Sequence, residues 1–158
     1  MIIAKIDNYN LNDIIAGINT FLARAAESLE VRALALTITE HAIDPIAAIY
    51  GWVQTNVKYV PDPTHIELFI SPIRFARDFN AGLPMGGDCD DMAILTTALL
   101  RAIGLKSNVV LIDQTGFGID HAHSRVYSDK FYKYINVDPS SDYPLGWEPQ
   151  FKSQVIIE

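Results

Sequence analysis

One cysteine in 158 residues rules out an internal disulfide and, with it, the usual staple of a small domain made for an oxidising compartment. Positive charge is scarce too: twelve Lys and Arg face nineteen Asp and Glu, for a formal net charge of −7. Those cations are scattered rather than gathered into a stripe, so nucleic acid is not an expected partner. No uncharged apolar run approaches the ~20 residues that span a bilayer, so no membrane partner is expected either. Residues 1–7 lack the charged start and long apolar stretch of a secretory leader, and a cytoplasmic location is the expectation. Repeats, low-complexity tracts and linkers are missing, which predicts a single domain over residues 1–158. The remainder has an ordinary globular composition: 49% hydrophobic and 20% charged, enough to build a core. Nothing in it sets an oligomeric state.

Local signals divide the chain into helices first and strands later. Asn10 and Asp13 can cap a helix whose apolar stripe is Ile14, Ile15, Ile18, Phe21 and Leu22. Ser28 opens a second helix, weakened by the β-branched residues at 37–39. Asp44-Pro45 opens a third, with Ile46, Ile49, Trp52 and Val53 at helical spacing. Residues 58–60 read as extended, 65–70 as a short strand, and Ser71-Pro72 restarts a helix that Asn80-Ala81-Gly82 ends. From Cys89 the pattern is one uninterrupted helix, closed by Gly104. Residues 108–112 form a buried strand, 121–127 and 132–137 an antiparallel hairpin, and 154–157 an edge strand. With Asp129-Lys130 as a two-residue turn, Asp138 lies opposite His121 and His123 falls on the diagonal. The fold class is α+β.

The chemistry concentrates at Gly86-Gly87-Asp88-Cys89-Asp90-Asp91. A thiol on the first turn of a helix meets unpaired N–H groups and the positive end of the dipole, and both favour a thiolate. The three aspartates oppose it as like charges, so an activated Cys89 requires a histidinium within reach. Their structural role, stabilising a helix start, stands in any case. The two glycines let backbone or ligand approach the thiol. His121 and His123, two apart on a strand, project from one face, and Asp138 sits on the returning strand. Either histidine could give Nδ1–H to Asp138 and its other nitrogen to Cys89, the arrangement of nucleophile, base and orienting group. Two other readings stand beside this one. A buried structural cysteine would leave a non-catalytic peptide-binding or assembly module. His121, His123 and Asp138 could instead ligate a metal for hydrolysis, although Arg125 would oppose the cation.

These boxes resemble the transglutaminase-like superfamily, whose core is shared with papain-type cysteine proteases. Its Gly-Asp-Cys box opening a long apolar helix is similar to Gly87-Asp88-Cys89 and the stop at Arg101-Ala102-Ile103-Gly104. Its histidine box resembles His121-Ala122-His123-Ser124-Arg125-Val126-Tyr127, and its Asp-Pro-Ser resembles Asp138-Pro139-Ser140. Ile49-Tyr50-Gly51-Trp52-Val53 and the run from Val57 to Asp62 are similar to bacterial or phage members, so the likeness covers residues 44–147. The resemblance implies a papain-like α+β core, with N-terminal helices and a central helix starting at the cysteine packed on an antiparallel sheet. It further implies acyl transfer through a thioester on a peptide or protein amide, as in a cysteine protease, amidase or transglutaminase, with no cofactor and no metal. Cys89 would be the nucleophile, His121 the base and acid, and Asp138 the orienting carboxylate. His121 is chosen over His123 because Ala122, Val126 and Tyr127 then match the box. Substrate contacts are assigned to Gly87, His123 and Trp147.

Overall fold

The computed structural model describes residues 3–7 and 10–158, with side chains described from Asn10 onward. Met1 and Ile2, part of the start read above for a leader, lie outside the described residues.

Each helix begins where its sequence offers a cap. Helix α1 (Leu11–Ala26) starts at Asn10, whose Oδ1 accepts the Asp13 N–H at 3.1 Å. Helix α2 (Leu29–Thr39) starts at Ser28, whose Oγ accepts Val31 N–H. Its β-branched end stays helical, with the Thr37 and Thr39 hydroxyls donating back to the Ala33 and Ala35 carbonyls at 2.9 and 2.8 Å. Helices α3 (Pro45–Asn56) and α4 (Pro72–Asn80) each have proline in the first turn behind Asp44 and Ser71. Helix α5 (Cys89–Ala102) is different in kind, because every residue from 90 to 100 is buried. A helix apolar all round belongs in an interior, and α5 packs between a sheet and the α1, α2 and α3 helices.

That sheet is antiparallel, in the order β7-β6-β5-β8, from strands β5 (Ser107–Asp113), β6 (His121–Ser128), β7 (Lys133–Val137) and β8 (Ser153–Ile157). Three buried hydroxyls fasten α5 to it: Thr97 and Ser124 are 2.9 Å apart, and Ser107 and Ser124 3.1 Å. Two small pairings complete the architecture. Strand β1 (Ile3–Asp7) runs antiparallel to β3 (Ile66–Ile70), and β2 (Val57–Tyr59) runs parallel to β4 (Met85–Gly87). The sequence reading contained neither β1 nor β4. The α+β arrangement, with the cysteine helix packed on an antiparallel sheet, is the one the sequence implies.

The hairpin register corrects the expectation. Strand β6 runs to Ser128 and β7 begins at Lys133, so residues 129–132 form the turn, with Tyr132 at φ +54°. Ser124 pairs with Val137, and continuing that ladder puts position 138 across from 123 rather than 121. The two-residue turn failed because a non-glycine residue adopted the left-handed conformation, which no side-chain pattern announces.

Because α5 carries the core, truncating it should be costly. Leu99, fully buried, is expected to lose about 2–5 kcal/mol of stability as Leu99→Ala, read from denaturant unfolding.

Candidate active site

Cys89 is the first residue of α5, half-buried, and reached through β4. Tyr59 pairs with Gly87 in the parallel ladder, and Val60 N–H donates to the Gly87 carbonyl at 3.0 Å, which fixes the approach to the helix. Gly87 is glycine for a steric reason: a Cβ there would stand 2.8 Å from the Asp91 Cβ and Oδ2. Asp91 thus fills the room at Gly87 that the sequence reading left for backbone or ligand. Its Oδ1 accepts Ile70 N–H at 2.6 Å and its Oδ2 accepts Asp88 N–H at 3.3 Å, joining β3 to the start of α5. Burial raises the Asp91 pKa to about 8, the Ile70 N–H working against it and the Asp88 charge with it.

His121 opens β6 and meets Asp138 just beyond β7, with Nε2 2.8 Å from Oδ2. The expectation that Nδ1 would face the carboxylate is therefore corrected; Nδ1 is the nitrogen left for the Cys89 thiol, with which the ring interacts. Burial alone would favour the neutral imidazole. The hydrogen bond to Asp138 and the interaction with Cys89 outweigh it and lift the His121 pKa from 6.5 to about 10. At neutral pH the ring is an imidazolium. Asp138 is drawn down correspondingly: its burial is overcome by His121 and by Ser140, whose Oγ and N–H donate to Oδ1 at 2.7 and 3.2 Å.

His123 is the histidine across the ladder from Asp138, yet it makes no such bond. Its Nδ1–H donates to the Ser124 carbonyl at 2.9 Å, and only 3% of the residue is exposed. Burial lowers its pKa and keeps it neutral, 6.3 Å from the His121 ring between centroids. Trp147 stacks on Tyr143 at 3.7 Å, and its carbonyl accepts from Asn136.

A cavity of about 300 Å³ opens at Cys89 and His121. Gly87, His123 and Trp147, the expected substrate contacts, are not among its described lining residues. Tyr59, Glu67, Asp90, Ile119 and Asp120 are, and the sequence reading missed all of them as site residues. Asp90 and Asp120 had an available signal, their positions next to Cys89 and His121, whereas Tyr59 and Glu67 arrive through the pairings of β2 and β3. Among the described residues, the metal-competent donor set is not the histidine pair but Asp88, Asp90 and Asp91, with one atom from each within 4.8 Å of the others.

A family model of the transglutaminase-like superfamily matches residues 32–139, most of the chain. The protein belongs to the transglutaminase-like superfamily. Among solved structures it is similar to a candidate cysteine protease from Cytophaga hutchinsonii, at 22% identity over 87% of this chain and 49% of that one, TM-score 0.55. It is also similar to a candidate protease from Parabacteroides distasonis, at 18% identity over 82% of this chain and 26% of that one, TM-score 0.54. At those identities the likeness is one of fold, and this superfamily chain spans about half of the first protein and about a quarter of the second. No curated protein sequence matches it.

The His121 pairing has a measurable sign. Between pH 6.5 and about 10 the folded protein holds a proton that the unfolded chain releases, so stability should fall as pH rises through this window. It is fully present below pH 6.5. Asp138→Asn should flatten that slope, and an imidazole NMR titration of the variant should move His121 back toward the ordinary range.

Proposed function

We propose that this superfamily member is a thiol-dependent acyl-transfer enzyme acting on a peptide or protein amide. The observation that carries the reading is the His121 ring held between Asp138, at 2.8 Å, and Cys89. The Cys89 thiolate, paired with the imidazolium of His121, attacks the amide carbonyl, forming the C–S bond. Charge moves onto the carbonyl oxygen. In α5 the Met92 N–H is the first to reach a helical carbonyl, that of Asp88 at 3.1 Å, so the Cys89 N–H before it is free of the helical ladder and suits the oxyanion. Collapse breaks the C–N bond as His121 returns the proton to the leaving amine, which leaves a thioester on Cys89. Water or a second amine, deprotonated by His121, then attacks the thioester and restores the thiol. Asp138 keeps the ring oriented throughout and stabilises it whenever it is protonated, and Ser140 keeps Asp138 in place.

His123 supports a different role. Neutral, buried and committed to the Ser124 carbonyl, it backs the hairpin and takes no proton.

Labelling with iodoacetamide near neutral pH tests the reading without a known substrate. Cys89 is expected to alkylate rapidly, and His121→Ala to slow it by about tenfold or more. His123→Ala should lower stability while leaving the rate near that of the unmodified protein. Slow labelling indifferent to His121 would favour a non-catalytic binding module.

A further inference from the structure

The cavity beside Cys89 is walled by carboxyl groups: Glu67 from β3, Asp88 and Asp90 at the start of α5, and Asp120 just ahead of β6. Among the described residues no lysine or arginine lines it, and its one imidazolium, His121, is already matched by Asp138. Asp90 is the informative member. It is 6% exposed, yet its Oδ1 has no hydrogen-bond partner among the described residues, and the same holds for the buried Asp88 Oδ1. A buried acceptor left unsatisfied is expensive, and such a group on a cavity wall marks where a donor from outside belongs.

We propose that this cavity seats an organic cation, the side chain of a lysine or arginine in the peptide whose carbonyl Cys89 attacks. The proposal rests on the acyl-transfer reading and adds the substrate class. The other walls suit such a side chain. Ile14, Leu111 and Ile119 offer apolar surface for its methylene stem, and the Tyr59 ring offers a face for its charge. A bare metal ion would have no use for that apolar wall, and Asp91, which completes the carboxylate cluster, already accepts two backbone N–H groups. An ammonium or guanidinium supplies the donors that the unpartnered Asp90 and Asp88 oxygens lack.

Peptidyl chloromethyl ketones test it, because Cys89 displaces their chloride and labels itself irreversibly. Three peptides differ only in carrying lysine, norleucine or glutamate at the residue bearing the ketone, and a second set moves the change one residue earlier. Lysine is expected to label at least about tenfold faster than norleucine in one set, with glutamate slowest. Added salt should narrow the lysine preference, as should Glu67→Gln and Asp120→Asn, the salt series requiring no variant. Equal lysine and norleucine rates in both sets, with His121-dependent iodoacetamide labelling intact, would overturn the cation seat and leave the acyl-transfer reading standing. Failure of every reagent to label Cys89 would remove both. Calcium chloride accelerating all peptides equally, with no lysine preference, would make the acids a metal seat and overturn the proposal.

Discussion

Burial of every residue from 90 to 100 of α5 is the constraint on which the rest of this molecule depends. A helix buried on every side has to be covered on every side, which the four-stranded sheet and α1, α2 and α3 do together. Its position is then fixed laterally by the Thr97, Ser124 and Ser107 hydroxyls, whose second attachment is the strand that begins with His121. A rigid helix start and a rigid strand start are thereby held at one cavity. That is the condition for a nucleophile and its base to meet without a large loss of entropy at each encounter.

The electrostatics of that meeting are a contest. The first turn of α5 carries Asp90 and Asp91 beside the thiol, and burial pushes both of their pKa values up. Carboxyl groups so far out of water hold protons, which lessens the like-charge opposition to a thiolate. Across the cavity, Asp138 does the reverse for His121, holding it charged against the desolvation that would neutralise it. Burial therefore discharges Asp90 and Asp91 at the helix start, and pairing charges the histidine across from it. Both effects favour the same ion pair.

Local rules made most of the elements legible. Asn10, Ser28, Asp44-Pro45 and Ser71-Pro72 act through hydrogen bonds within a few residues, and each helix starts where those residues say. What failed was non-local. The β1–β3 and β2–β4 pairings join segments far apart in sequence, and they bring Glu67 and Tyr59 to the cavity. The hairpin slipped because Tyr132 adopts a positive φ, lengthening the turn. Even so, His121 rather than His123 reaches Asp138, because the Ser124 carbonyl already holds His123. The resemblance pointed to the right histidine for that contact, whereas the strand geometry drawn from the sequence left the choice open and gave the carboxylate the wrong ring nitrogen.

Acylation by p-nitrophenyl acetate tests the central claim, that Cys89 is a nucleophile served by His121, most directly. The account predicts a burst of p-nitrophenolate approaching one equivalent of protein and an acetyl group on Cys89 that hydroxylamine removes. It also predicts that the burst slows sharply in His121→Ala. No burst, an acetyl group on another residue, or a burst of unchanged rate in that variant would contradict it.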